Sequence, residues 1–178
     1  MASYLDRTET LLGKEKIERI QKARIMVIGL GGVGGTALSA LYRSGFRHFV
    51  LVDNDKVDPS NLNRQIMYSS NDVGKLKTDV CKSKITEFCG EIDVKTINLY
   101  VDEVNAQDLI KDVDFVVDAI DFVPGKIGIM KACLEKNIPF ISSLGMAKRL
   151  DPERVLQTTL NKTENDPLAK KIRYECRQ

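Results

Sequence analysis

Apolar residues along this chain fall into short blocks of two kinds. Residues 25–28, 49–52, 115–117 and 139–142 are continuous apolar runs, the pattern of parallel strands buried on both faces. Between them lie stretches of helical period. Residues 32–44, 75–88 and 123–136 predict helices, the second with Val80, Ile85 and Phe88 inward and Lys77, Lys82 and Lys84 outward. Residues 13–22 place Ile17 and Ile20 three apart among charges and predict a short amphipathic helix after a lead-in over 1–12. Residues 93–99 predict a strand and 105–110 a short helix. The stretch 56–70 is too polar for core. After Gly145 the period weakens: 155–160 predicts a strand, and Asp166 with Pro167 opens a basic helix. Alternating strand and helix predicts an α/β fold, a doubly wound, Rossmann-like, mostly parallel sheet with helices on both faces. An N-terminal arm and helix over 1–22 precede a single domain over 23–178.

The first chemistry lies between the first two runs. Gly29, Gly31 and Gly34 fit G-x-G-x-x-G, with Gly32 and Gly35 added. The first glycine allows a tight turn, the second lets backbone approach a phosphate, and the third lets the helix pack close to the sheet. The N–H groups and dipole of that helix face the anion. The second run ends at Asp53, whose carboxylate can reach a ribose hydroxyl. This predicts a nucleotide, and by itself it points to NAD or FAD before ATP.

Three further features shift the balance towards ATP. Asp55 adds a second carboxylate, which nearby phosphates repel unless a cation intervenes; a polar strand exit explains the same pair without a ligand. In the stretch Asn61-x-x-Arg64 with Gln65, then Lys75 and Lys77, the arginine and lysines supply cations that nucleotidyl transfer uses and hydride transfer does not. Arg64 can clamp bidentately and Lys77 acts as a point charge, although solvated lysines are common on any surface. Asp118-x-x-Asp121 suits magnesium, which takes carboxylates plus phosphate oxygens; Asp121 can instead cap the following helix. In a sheet of this type all these residues, with 142–145, fall at the carboxyl ends of the strands, where ligands bind.

Bulk properties narrow the class. The chain has 178 residues, 43% hydrophobic and 29% charged, which is ordinary for one folded domain. A net charge of +2 does not argue for nucleic acid. No apolar run approaches the roughly eighteen residues of a membrane span, and the polar start is not a secretory signal, so a cytoplasmic protein without membrane contact is expected. Cys81, Cys89, Cys133 and Cys176 form no C-x-x-C pair, which argues against a structural zinc site. Cys133 falls on a helix as a core residue and Cys176 near the exposed end. His48 reads as a strand-edge residue.

Taken together, G-L-G-G-V-G-G, L-V-D-N-D, S-N-L-N-R-Q, G-K-L-K and V-V-D-A-I-D, in this order and spacing, resemble the ThiF/MoeB/HesA-type adenylating enzymes, relatives of ubiquitin-activating enzymes. The likeness runs from about Arg7 to the end. Arg7-Thr8-Glu9 with Leu12-Gly13, N-R-Q-I, Ile138-Pro139, Ser142-Ser143-x-Gly145, Leu150-Asp151-Pro152 and Asp166-Pro167-Leu168-Ala169-Lys170 are similar to the tRNA threonylcarbamoyladenosine dehydratase branch (TcdA/CsdL).

The resemblance implies ATP on the glycine turn with Gly32 near the phosphates, and Asp53 on the ribose. It implies Asn61, Arg64 and Lys77 on the triphosphate and magnesium on Asp121, with Asp55 and Asp118 counted among the nucleotide-binding residues. It implies a homodimer in which Arg7 reaches the partner's site, a carboxylate attacking the α-phosphate, and a threonylcarbamoyl group on tRNA as its source. The alternatives are a ubiquitin-fold sulfur carrier adenylated at its C-terminus, a noncatalytic nucleotide-binding domain, and more distantly an NAD-dependent oxidoreductase. A cysteine-desulfurase-type partner also fits the family. Basic candidates for RNA contact are Lys75, Lys77, Lys82, Lys84, Lys170, Lys171, Arg173 and Arg177. Two departures stand out: Gly145-Met146-Ala147-Lys148 replaces the branch's glycine-alanine-glycine run, and the family continues past Gln178 into a part expected to carry a further cysteine and RNA surface.

Overall fold

The structure, a computed structural model, describes residues 3–177. Five strands form one sheet in the order β3-β2-β1-β4-β5, all parallel: β1 Arg24–Ile28, β2 His48–Val52, β3 Asp93–Ile97, β4 Phe115–Asp118 and β5 Phe140–Ser142. The chain leaves β1 in one direction to build β2 and β3, then returns to add β4 and β5 on the other side. The strand order therefore reverses at β1, and a crevice opens there at the carboxyl ends.

Because side chains alternate across a strand, each strand feeds two cores. On one face Ile25, Val27, Phe49 and Leu51 pack beneath α3 (Gly32–Arg43) and α4 (Lys77–Cys89), through Leu38, Tyr42, Val80, Cys81 and Ile85. On the other, Met26, Ile28, Val50, Val52 and Val116 pack beneath α5 (Ala106–Leu109) and α6 (Val123–Glu135), through Leu109, Ile129, Ala132 and Cys133. A smaller cluster joins Val123 and Ile127 of α6 to Ile172 of α7 (Pro167–Glu175). The doubly wound α/β fold predicted from alternation is the fold observed. Asp166 caps α7 by accepting the Ala169 N–H at 3.0 Å, as the Asp-Pro pair predicts.

Several expectations need correcting. The lead-in forms a helix, α1 (Asp6–Leu12), followed by α2 (Lys14–Lys22). It is held by tertiary contacts: Leu5 is buried and the Tyr4 ring stacks edge-on against Phe88, 5.2 Å between centroids. Phe88 is consequently a half-open member of a Tyr4–Tyr42–Phe88 cluster rather than core. The polar stretch after β2 does enter the core, through Val57, Met67 and Tyr68. The last strand is an edge, with Ile141 44% exposed. Residues 155–160 form no strand; two single-turn helices, Pro152–Arg154 and Leu160–Lys162, flank an extended stretch that leaves Val155 and Leu156 in solvent.

Candidate nucleotide-binding site

β1 delivers the chain into the glycine turn. Gly29 has φ +88°, and a Cβ there would lie 2.8 Å from the Ala119 backbone. A Cβ at Gly34 would lie 1.8 Å from the Gly29 carbonyl, so α3 can only meet β1 this closely without a side chain. Gly31 is the N-cap of α3 and offers no side chain to it. The first N–H groups of a helix lack intrahelical acceptors, and here they open at the sheet edge.

The turn is held from both sides of Leu30. Its N–H donates to Asp53 Oδ2 at 2.7 Å, and its carbonyl accepts from the Tyr68 hydroxyl at 2.7 Å. Asp53 Oδ1 accepts the Asp55 N–H at 2.8 Å. Burial pushes the Asp53 carboxyl above its ordinary value, while the two backbone N–H donors pull it the other way. Asp53 therefore shapes the turn before it meets any ribose, and each oxygen keeps a lone pair for a hydroxyl. Tyr68 was not singled out from sequence, because it sits in a stretch read as loop.

Asp55 and Lys77 meet through backbone pairing. Lys56 and Leu76 form an antiparallel bridge, and the Lys77 N–H donates to the Asp55 carbonyl at 3.0 Å. Lys77 Nζ then lies 2.7 Å from Asp55 Oδ2. This corrects the outward placement of Lys77: α4 begins at Lys77 and turns that side chain towards the site, where it is buried. The cation that the Asp53-x-Asp55 pair calls for is thus supplied by the protein. Lys75 and Lys84 both approach Asp72, at 3.3 and 3.4 Å, and so are less open to RNA than expected.

The loop after β2 lies over the turn. Asn61 Oδ1 accepts the Asp58 N–H in a capping box around Pro59–Asn61. Arg64 is exposed and rests on its own loop, donating to the Ser60 carbonyl and Asn63 Oδ1. The Arg64 carbonyl comes within 3.4 Å of a Cβ placed at Gly32. Gln65 is buried beside Gly31, and its Oε1 has no hydrogen-bond partner among the described residues. Its Nε2 lies nearest Gly31, and a buried side-chain carbonyl without a partner on the same amide marks Gln65, named in the sequence beside Arg64, as a site residue.

At the end of β4 the two acids divide. Asp118, expected on the nucleotide, is fully buried and ion-paired instead: Oδ2 takes Lys126 Nζ at 2.8 Å and the Ser142 hydroxyl at 2.5 Å. Lys126 also donates to Ser142 Oγ at 3.0 Å, tying α6 to the exits of β4 and β5. Burial pulls the Lys126 ammonium below its ordinary value and Asp118 opposes this. Lys126 was missed because a lysine inside an apolar helix looks like a stray surface charge. Asp121 is exposed and makes no hydrogen bond or ion pair among the described residues. No group of three metal-binding side chains exists among them. Magnesium fits here only in its usual manner, on one carboxylate with phosphate oxygens and water, and Asp121 is the carboxylate open for it.

Arg7 lies on α1, two residues after Leu5, whose side chain reaches Gly45 just ahead of β2, at the opposite end of that strand from Asp53. It is not brought to this chain's own site. An apolar groove of about 610 Å³ also lies elsewhere, between α3 and the β4–β5 face, lined by Ala37, Leu41, Phe115, Val117 and Ile141. The convergence of backbone donors, buried polar groups and charge at the glycine turn outweighs size as a sign of chemistry.

The sequence profile described as ThiF family matches residues 5–150. The chain is 38% identical over 179 residues to a tRNA threonylcarbamoyladenosine dehydratase of Bacillus subtilis (strain 168), covering 100% of this chain and 70% of that protein. It is 35% identical over 167 residues to the protein of that name from Escherichia coli (strain K12), covering 93% and 62%. A solved structure of the E. coli enzyme TcdA in complex with ATP superposes with TM-score 0.94 at 33% identity, covering 98% of this chain and 72% of that one. The chain thus spans between about three fifths and seven tenths of these curated relatives. With the profile covering most of its length and the glycine turn, D-N-D, N-R-Q and D-A-I-D in the places just described, this chain belongs to the ThiF family.

Proposed function

We infer that this chain is the adenylating part of a tRNA threonylcarbamoyladenosine dehydratase. The observation that carries the reading is the superposition on ATP-bound TcdA over 98% of the chain, with the turn, Asp53, Lys77 and Asp121 at one sheet edge. ATP lies with its phosphates against the N–H groups of the glycine turn and α3. Asp53 takes a ribose hydroxyl. Asn61, Arg64 and Lys77 meet the triphosphate, Arg64 by leaving its loop carbonyl. Magnesium, held by Asp121, would screen charge on the phosphates. A carboxylate attacks the α-phosphorus, the bond to the β-phosphate oxygen breaks, and pyrophosphate leaves with an acyl adenylate formed. In the dehydratase reaction that carboxylate belongs to the threonylcarbamoyl group of tRNA. It cyclises as AMP departs, and the net change is loss of water. Arg7 serves the partner's site in a homodimer, consistent with its place on α1. A cytoplasmic setting follows from a tRNA substrate, and no helix among the described residues is long and apolar enough to cross a membrane.

The test is exchange of labelled pyrophosphate into ATP, with and without threonylcarbamoyl-modified tRNA. Exchange stimulated by the tRNA is expected, falling on the order of a hundredfold in Asp121→Ala. Exchange indifferent to tRNA but driven by a small protein ending in Gly-Gly would replace this reading with sulfur-carrier activation. ATP binding without exchange would leave a noncatalytic nucleotide-binding domain.

A further inference from the structure

Lys77 and Asp55 make a closed pair beside the turn. The lysine side chain is 5% exposed and the carboxylate 58%. Backbone and side chain of Lys77 both return to Asp55, at 3.0 and 2.7 Å. An ammonium with so little water around it requires a counter-ion, and Asp55 provides one. Asp55 is itself fastened to the turn, its N–H on Asp53 Oδ1 and Asp53 Oδ2 on the Leu30 N–H. The pair therefore stands where a phosphate chain arrives. Polyphosphate brings a second anion to the same ammonium, and a carboxylate left facing it is repelled. Asp55 is the partner already in contact with solvent, so it is the one able to turn away.

We propose that Asp55 is a latch for Lys77: it holds the ammonium when no polyphosphate is bound, yields it to the incoming phosphates, and recaptures it as pyrophosphate leaves. This deepens the adenylation reading and rests on it. Asp55 is a positioning residue acting through Lys77, not a ligand of the nucleotide. The exchange swaps one counter-ion for another, so the pair weakens polyphosphate binding by its own worth. Without the carboxylate, Lys77 waits unpartnered and every polyphosphate binds more tightly. Pyrophosphate then departs slowly, which lowers turnover wherever product release limits it.

The experiment titrates the full chain with inorganic pyrophosphate and with ATP, for wild type, Asp55→Asn and Asp55→Glu. Asp55→Asn is expected to bind pyrophosphate roughly tenfold more tightly, with KM for ATP and kcat both reduced. Asp55→Glu keeps the charge and should behave as wild type. A folded Asp55→Asn that binds pyrophosphate equally or more weakly overturns the latch; a merely structural pair would lower Tm without tightening anything. A structure of the wild type with pyrophosphate gives a check that needs no variant. The Nζ–Oδ2 contact should open beyond hydrogen-bond range, and its persistence would overturn the proposal. Failure of pyrophosphate exchange in the wild type would count against adenylation alone, because the binding titration still decides the latch.

Discussion

Asp72 illustrates how far one side chain is shaped by its neighbours. Its carboxylate accepts the Ser69 hydroxyl at 2.7 Å and the Ser69 N–H at 2.9 Å, with Lys75 and Lys84 close by. The Ser69 hydroxyl above all, then the Ser69 N–H and the two lysines, hold the carboxyl down at about 2. A depressed pKa stabilises the fold above the unfolded value, roughly 3.9, and that contribution is lost as pH falls from there through about 2. Asp72 is itself buried, but its lysine partners reach solvent, so screening trims the contribution to about 1–2 kcal/mol. Asp72→Asn should be destabilised by that amount in urea titrations at pH 7, and the difference should shrink when the titrations are repeated near pH 2.5. Residue identity alone marks Asp72 as one of many acids. Its weight comes from Ser69 three residues back and from Lys84 on the next helix.

At the scale of the element, the turn and α3 separate two demands placed on glycine. Gly34 is required for packing, since a Cβ would enter the Gly29 carbonyl at 1.8 Å; Gly32 has room, with Arg64 O at 3.4 Å. Gly34→Ala should destabilise the fold by about 3 kcal/mol or more, seen as a large fall in Tm. Gly32→Ala should melt near wild type yet bind ATP on the order of tenfold more weakly, about 1.4 kcal/mol by calorimetry, because its methyl stands between α3 and the phosphates. Equal effects from both substitutions would show that the first turn of α3 does not face the ligand. The G-x-G-x-x-G spacing made Gly34 visible beforehand, and the family resemblance pointed to Gly32. The expected packing role of Gly34 is matched by the contacts, which also show how little room it has and how much Gly32 has.

Across the whole molecule, the two cores enclose Cys81 and Cys133, and burial pushes both thiols up to about 11. Cys89 is half-buried and also raised, whereas Cys176 is exposed at the end of α7. A colourless-to-yellow disulfide exchange reagent at pH 8 should therefore label Cys176 first and Cys89 more slowly. Cys81 and Cys133 should react only at the rate of global opening, with the same dependence on urea for both, because one lies in each core. Early labelling of either buried thiol would mean that its face of the sheet opens on its own.

Read alone, the amino-acid order located the five strands of the sheet, the major helices and the glycine turn, because period and glycine spacing are local properties of the backbone, though it also predicted a strand at 155–160 that does not form. The combination of motifs also identified the family. Other features depend on which distant segments meet. Lys77 turned inward through the Lys56–Leu76 bridge, and Asp118 was removed from the site by Lys126 and Ser142. Tyr68 and Gln65 were carried from a polar stretch onto the turn. Ion pairs and buried hydrogen bonds join residues tens of positions apart, and no periodicity encodes such partners; only packing brings them within reach of one another.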